Sequence, residues 1–508
     1  MKSDVGFLSL AEELQLYILR FLPYRDILRC TSVCKALRQA YVSSSELQYI
    51  VELGGQHLIP ISNTDSDNHT PVSEHLQHLR DRAHAWFRVD IHSAKTVPIP
   101  ELFLYEESFI ANGHLYSWDS DDDTATIIPI LPKPSQQIIE RNWSPGTLCT
   151  VPNSTNLCVL MDPAQNLIAV VYFDDEETLY VNLRALDDDS FHPKAAGPTL
   201  FLSELPGYDN DVDSESVKLK VMGRHIALQR AASDCDMWQV QIWDWQHSTS
   251  DIILSGDYPH EVDFCFLGND RLLVVADNLK LFSIEDMSKT PELLASFVPP
   301  VQLLETRLLP SDGISCGSQP QMQAQPTMYT SDPKHQLLCI TTFVNASFVV
   351  YVISTRIFFD LVEMAVAMPI PWKCWGPLNT RIFRCPLELD ECRVHLNGSR
   401  VLLLFRVRKS LSKRKPIWNC KYKLCIMDFS PLAVTNRRGL GQVVTKPSTL
   451  NVTDPKYKRN GCEERLMTFL PYVKVVLDRK FSLDDLENIW LDKDRIYLLS
   501  DKLEVIDV

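Results

Sequence analysis

No apolar run in this 508-residue chain approaches the ~20 residues that a membrane-spanning helix needs, so no membrane partner is expected. Positive charge is not in excess either. The formal net charge is -15, which argues against a bulk pull toward nucleic acid or anionic lipid. The N-terminus lacks the continuous apolar core of a secretory signal. Lys2 is followed by Asp4, and the apolar positions after it are broken by Glu12, Glu13 and Gln15. The expected location is cytoplasmic, nuclear or both. The 14 cysteines include no CxxC pair, and none stands beside histidines at zinc-finger spacing. Cys30 and Cys34 lie one helical turn apart with no further ligands nearby. They read as small apolar residues in a reducing compartment rather than as a metal site.

Catalytic signatures are missing as well. There is no GxSxG elbow, no P-loop, no HExxH and no GxGxxG after a strand. The acidic clusters "DSDDD" at 119, "DDEE" at 174 and "DDD" at 187 lack the alternating ligands and central glycine of an EF-hand loop, and read as solvated turns. No catalytic residue, metal or cofactor is assigned, and the chain is not expected to be an enzyme.

The composition that remains is ordinary for a globular chain, with 45% hydrophobic and 23% charged residues, enough for one large domain and a smaller one. The smaller one is at the start. Ser9-Leu10-Ala11-Glu12 has the form of a capping box. Leu10, Leu14, Ile18 and Leu22 then recur every four residues, widened by Leu19 and Phe21, which predicts an amphipathic helix ending at Leu22-Pro23. Asp26 is placed to cap a second helix carrying Ile27 and Leu28. A third is expected from about Ser32 with Val33, Leu37 and Tyr41, and Ser45 is placed to cap a fourth through Leu47, Ile50 and Leu53. So small a unit buries little surface, and it has neither disulfide pattern nor metal site. Its apolar excess is expected to dock on another protein.

These residues resemble the F-box family. Leu10-Ala11-Glu12-Glu13-Leu14, Ile18, Leu22, Asp26-Ile27-Leu28 and Val33-Cys34-Lys35 follow its pattern in order and spacing. Two positions depart from it: Ala11 stands where proline is usual, and Leu37 where an aromatic is frequent. The resemblance implies docking on the Skp-type adaptor of cullin-RING ubiquitin ligases through Leu10, Leu14, Ile18, Leu19, Leu22, Ile27, Leu28, Val33, Cys34 and Leu37. A helical cap packed only on the main domain is the plainer alternative.

The next stretch, "SNTDSDNHTPVSEHLQHLRDRAHAWF", starts as a polar turn and becomes a connecting helix, with Val72, Leu76, Leu79, Ala83 and Phe87 on one side and Trp86 at its end. "VSEHLQHLRDRAHAWF" resembles the linker after the F-box in many fungal F-box proteins. His75 and His78 lie three apart on it, without a third ligand, and read as solvated.

From about residue 98 helical periodicity stops and short apolar runs take over, divided by Gly, Pro, Asn and Asp. One unit recurs, a polar turn followed by an apolar run: "NGHLYSW" at 112, "QNLIAVVYF" at 165, "GRHIALQR" at 223, "NDRLLVVAD" at 269, "KHQLLCITTF" at 334, "GSRVLLLF" at 398 and "KDRIYLLS" at 493. Most are followed by a partner run such as "WQVQIWDW" or "FVVYVIST", and "KLEVIDV" ends the chain. WD40 blades repeat every ~40–45 residues, so the wider spacing here demands long loops. "IWDW" at 242–245 resembles a WD-type strand end. A final strand suits ring closure, which removes an exposed edge.

The expected fold is multidomain: a small all-α F-box at 5–53, a linker and helix at 54–97, and an all-β propeller of seven blades at 98–508. A six-bladed ring or a pair of β-sandwiches is the competing architecture. Two insertions interrupt the pattern. "GISCGSQPQMQAQPTMYTSDP" reads as a flexible loop. "RVRKSLSKRKP" brings Arg406, Arg408, Lys409, Lys413, Arg414 and Lys415 to a hairpin tip; it reads as a solvated loop, a nuclear-import patch or a dock for an acidic or phosphorylated target. The combined expectation is a substrate-recognition subunit of a Skp–cullin–F-box ligase, with an unknown protein held by the propeller and degraded after ubiquitination. The alternative is an interaction scaffold that works outside a ligase.

Overall fold

The computed structural model describes residues 6–60, 71–99, 108–111, 113–119, 122–131, 138–151, 154–174, 178–202, 217–231, 237–248, 251–257, 262–304, 306–310, 329–344, 347–361, 368–385, 393–406, 421–435, 441–452, 464–482 and 486–508. Four helices open the chain: α1 at Glu12–Leu19, α2 at Tyr24–Val33, α3 at Lys35–Ser43 and α4 at Ser45–Gly55. Their ends differ from the sequence expectation for local reasons. Ser9 does not cap α1. It sits in a single 3-10 turn and its Oγ donates to the Gly6 carbonyl at 2.6 Å, while Ala11 takes the N-cap position. Pro23 with its fixed φ opens α2, so Asp26 lies inside the first turn rather than at the cap. The third helix begins at Lys35, because Cys34 is extended (φ -154°, ψ 165°) and breaks the path from α2. The α4 cap is Ser44, one residue earlier than expected; its side chain accepts from the Leu47 N–H at 3.3 Å.

Leu19, Ile27, Leu37, Leu47 and Val51 form the core of this unit, with Leu16, Leu22, Tyr24 and Cys34 packed around them. Gly54 allows α4 to lie against α2, since a Cβ there would meet Tyr24 Cβ at 2.9 Å.

The remainder closes into seven antiparallel sheets arranged as blades. Blade 1 runs Ser108–Ala111, His114–Asp119, Thr124–Pro129 and Arg141–Trp143. Blade 2 runs Thr155–Asp162, Leu167–Phe173, Leu179–Ala185 and Thr199–Phe201. Blade 3 runs Lys218–Met222, His225–Ala231, Met237–Asp244 and Asp251–Asp257. Blade 4 runs Asp263–Phe266, Arg271–Val275, Leu279–Ser283 and Glu292–Phe297. Blade 5 consists of Arg307–Pro310, Leu337–Val344, Ser347–Ser354 and Thr380–Cys385, and blade 6 of Val394–Asn397, Arg400–Arg406, Tyr422–Asp428 and Tyr472–Val476, with Gln442–Val444 added as a fifth, outer strand. Blade 7 takes Asn488–Leu491, Arg495–Leu499 and Leu503–Asp507 from the C-terminal end and Lys95–Val97 from the other side of the ring. The chain therefore forms a seven-bladed β-propeller. It begins at Lys95, inside the segment assigned from sequence to the linker.

Each of the seven recurrent runs is the second strand of a blade. Such a strand is covered on both sides by neighbouring blades, so it reads as continuous rather than alternating apolar sequence. In blade 2, Leu167 to Tyr172 are all fully buried. The core is divided accordingly into clusters between blades, with Tyr116 and Ile127 of blade 1 against Val170 of blade 2, and Leu183 of blade 2 against Ile226 and Trp243 of blade 3.

Sequence patterning missed several elements, among them a helix and a hairpin beside blades 5 and 6. A helix at Trp372–Asn379 lies between the third and fourth strands of blade 5, holding Trp372 and Trp375 in the core. A hairpin of Ser448–Val452 and Glu464–Thr468 precedes the fourth strand of blade 6. Of the Gly/Gln-rich insertion, residues 313–328 lie outside the described residues, as do residues 61–70 of the polar turn; Tyr329–Ser331 forms a short ladder with Leu58–Pro60.

Candidate functional site

The site starts from α1. Residues three and four apart on a helix share one face. Leu16 and Leu19 turn inward with Leu22, whereas Leu14, Tyr17 and Ile18, together with Phe21 in the following turn, share the opposite side. These four are exposed, from 42% at Ile18 to 72% at Phe21. Tyr17 and Phe21 meet edge to face with centroids 5.1 Å apart. Arg20 holds the rim, its guanidinium 5.9 Å from the Tyr17 ring centre and 2.8 Å from the Glu46 carboxylate. Leu8 precedes this face, and Leu28 and Val33 project from α2, with Val33 75% exposed at the break before α3. The result is an apolar, aromatic surface bordered by charge, of the kind that closes over in a protein complex.

Sequence reasoning placed ten residues on this surface, and the structure divides them. Leu14, Ile18, Leu28 and Val33 are exposed on it, and Leu10 is half-buried. Leu19, Ile27 and Leu37 are corrected: they are buried in the unit's own core, at 3%, 1% and 7% exposure. Leu22 and Cys34 are half-buried against that core. The reason is that α1 is apolar nearly all round, so a four-residue spacing does not tell the inner face from the outer. Tyr17 is absent from the sequence-predicted face, and Phe21 widens that face without being among the ten predicted contacts; the Leu14, Tyr17, Ile18, Phe21 spacing of three, four and seven was the available signal.

The helical unit is fixed to the propeller by α5 at Val72–Ala85. Arg80 pairs with Glu52 of α4 at 3.2 Å. Arg82 donates to the Lys493 carbonyl of blade 7 at 2.7 Å and to Tyr329 Oη at 2.7 Å, and pairs with Asp494 at 3.1 Å. Trp86 at the end of α5 is buried among blade 5 to 7 residues, its ring 4.9 Å from the Arg400 guanidinium, which pairs with Asp428 at 3.1 Å. On the other side His57 stacks on His335 at 4.8 Å, and burial together with the His335 ring brings the His57 pKa down to about 4.

The metal candidates are not drawn together. Cys34 leaves the helical path, and no group of three or more His, Cys, Asp or Glu side chains among the described residues is placed to hold an ion. Of the acidic turns, Asp123 has a structural task, accepting from the Gly146 N–H at 3.0 Å and the Asn156 Nδ2 at 2.5 Å to tie blade 1 to blade 2. Arg406 ends its strand in blade 6, while Arg408, Lys409, Lys413, Arg414 and Lys415 lie outside the described residues.

The family model of the F-box domain matches residues 7–40. Residues 7–40 are an F-box domain. Its matched span covers α1, α2 and most of α3, the elements that carry the exposed face. F-box domains in general bind Skp-type adaptors, and the F-box and propeller are both typical interaction modules. Solved structures similar to the chain include the WD40 domain of Toxoplasma gondii coronin, at 9% identity over 81% of this chain and 88% of that one, with a TM-score of 0.37. The β-propeller domain of Cps50 (Swd1) from Myceliophteria thermophila is 9% identical over 82% of this chain and 100% of its own length, with a TM-score of 0.36. The uncharacterized protein lmo1340 of Listeria monocytogenes is 11% identical over 80% and 92%, with a TM-score of 0.37. The seven sheets themselves, rather than these likenesses, define the propeller. No curated protein matches the chain significantly.

Proposed function

We propose that this protein is the substrate-recognition subunit of a Skp–cullin–F-box ubiquitin ligase. The F-box docks the adaptor, and the propeller holds the protein to be ubiquitinated. The observation that carries this reading is the exposed Leu14, Tyr17, Ile18 and Phe21 face inside the matched F-box span. Leu10, Leu28 and Val33 extend the adaptor contact. The ties from Arg80, Arg82 and Trp86 support it further, because ubiquitin transfer needs the docking face and the target held at a set separation. The chain's own residues do no bond chemistry in this scheme; they position a protein beside the partner enzyme.

The test is capture of purified Skp-type adaptor and cullin by the full-length chain, beside Leu14→Asp and Ile18→Asp. Capture of both partners by the wild type alone is the expected result. Capture of the adaptor without cullin would replace the ligase reading with the scaffold outside a ligase, and capture of neither would reject adaptor docking.

A further inference from the structure

The outer strand of a blade has a far edge with no next strand, and such an edge offers its N–H and C=O groups to any extended chain. Most of these edges are short or covered. The outer strands of blades 1, 2 and 7 are three residues long. In blade 4 the chain at Ile370 runs along Glu292–Phe297; its N–H donates to the Ser296 carbonyl at 2.7 Å and its carbonyl accepts from the Val298 N–H at 2.9 Å. In blade 5 the hairpin of Ser448–Val452 and Glu464–Thr468 lies on Thr380–Cys385, where Thr468 Oγ1 accepts from the Ile382 N–H at 3.2 Å and the Leu470 N–H donates to the Thr380 carbonyl at 3.2 Å. In blade 6 the short strand Gln442–Val444 covers Tyr472–Val476. Blade 3 is the exception. Its outer strand, Asp251–Asp257, is seven residues long, and among the described residues no strand or backbone group bonds to its far side from Ile252 to Asp257.

This strand is held in place before anything pairs with it. Every one of its residues is in register with residues 237–243 of the strand behind it. Ile252 and Leu254 pack into the core, and Gly256 lies on the Trp238 ring, where a Cβ would come within 2.9 Å. No side chain rises at Gly256, so another backbone can approach closely. The alternate residues Ile253, Ser255 and Asp257 are exposed or nearly so and share the other face. The centre of the strand is thus apolar and each end carries a carboxylate. Asp251 accepts from the Gln241 amide at 2.7 Å, whereas Asp257 is exposed and meets no cation among the described residues. A second copy of the strand, paired antiparallel about Leu254, would set Asp251 opposite the copy's Asp257, like charge against like. A segment with β-branched residues in its middle and lysine or arginine at its ends meets complementary groups instead. We propose that the outer edge of blade 3 takes up such a basic-ended, apolar-centred segment of a partner protein by β-strand addition, with main-chain bonds supplying affinity and the end charges selectivity. Blade 3 lies apart from the blades that hold the F-box arm, and the inference does not depend on the ligase reading.

The experiment titrates the full-length protein against a fluorescent peptide, Lys-Val-Thr-Val-Thr-Val-Lys, with hydrogen exchange read over residues 251–257. Two further peptides serve as controls, one with glutamate at both ends and one with proline at the central valine, which removes a main-chain donor. The lysine-ended peptide should bind saturably and slow exchange in residues 251–257. The proline peptide should not bind, and the glutamate-ended one should bind about tenfold more weakly. Asp257→Lys is an exposed change that spares the fold. It should erase the preference for lysine ends, which separates pairing at this edge from a general attraction of cations to an acidic protein. No saturable binding at millimolar peptide overturns the proposal. So does slowed exchange confined to another part of the chain, or an unchanged preference for lysine ends in Asp257→Lys.

Discussion

The F-box and the propeller treat apolar residues in opposite ways. Among the described residues, eight of the 21 exposed large apolar side chains lie between Leu8 and Val42, and the other thirteen are spread from Ile59 to Val476. In the propeller, each blade's apolar faces meet the next blade and closure leaves few unmatched. The opening helical unit has only four short helices, so α1 can turn Leu16 and Leu19 inward but has nothing to place over Leu14, Tyr17, Ile18 and Phe21. One region is finished by its own chain, and the other leaves part of its apolar surface uncovered.

The sharpest way to break this comparison is to place a charge on each side of α1 and α2. Ile27→Asp buries an unpaired carboxylate in the F-box core and should cost several kcal/mol, unfolding that unit, as read by proteolysis and circular dichroism. Leu14→Asp on the open face should leave the melting temperature within the equivalent of about 0.5 kcal/mol while abolishing adaptor capture. Equal effects from the two variants would mean that inner and outer faces are not distinguished.

Next in size is the anchor between the regions. Trp86 is 1% exposed, and Trp86→Ala should lose about 3–5 kcal/mol by chemical denaturation, since a large side chain is removed from a packed site. A loss confined to the F-box, with the propeller transition unmoved, would show that Trp86 does not belong to the propeller core.

Acid should act on the propeller and the joint before the open face. Burial holds His57, His225 and His395 at a pKa of about 4, below the ordinary value of 6.5. The unfolded chain binds protons at these sites that the native state refuses. Their contribution to stability is therefore complete above about pH 6.5 and is lost as the pH falls from there toward 4. The urea midpoint should be lower at pH 5 than at pH 7.5, and His225→Gln should flatten the dependence. A midpoint that stays level across this range would contradict the burial of these rings.

The smallest effect belongs to ring closure. Lys95 pairs with Asp507 at 2.6 Å across the seam between the ends of the ring, but both side chains are about half exposed. Lys95→Ala should cost less than about 1 kcal/mol, because closure rests on Val97 packing with Leu503 and Val505 rather than on the ion pair. A loss of several kcal/mol in thermal unfolding would move the closure energy onto that pair.

Much of this arrangement was legible in the residues. The seven apolar runs from "NGHLYSW" to "KDRIYLLS" marked the second strand of every blade, because burial on both faces leaves a signal that needs no partner to be seen. The order Leu10 to Lys35 pointed to the F-box. The fourth strand of blade 7 was not legible, since Lys95–Val97 is three residues long and pairs with strand 503–507 across most of the chain. The helix at Trp372–Asn379 was hidden by a proline at 377 and by its shortness. The faces of α1 were assigned only in part, for Leu19 and Ile18 differ by one position and by nothing in their chemistry.

The sequence alone determined that short helices precede a long series of repeated β-strands, that no apolar run reaches the ~20 residues of a membrane-spanning helix, and that the opening unit carries more apolar side chains than it can cover. Local patterns decide such things, because periodicity, capping and turn residues act within a few positions. Only the tertiary structure decided which leucines of α1 stay outside, which strand closes the seventh blade, and which outer strands are covered by a later part of the chain. Those outcomes depend on groups up to several hundred residues apart in the chain, and only packing brings them together.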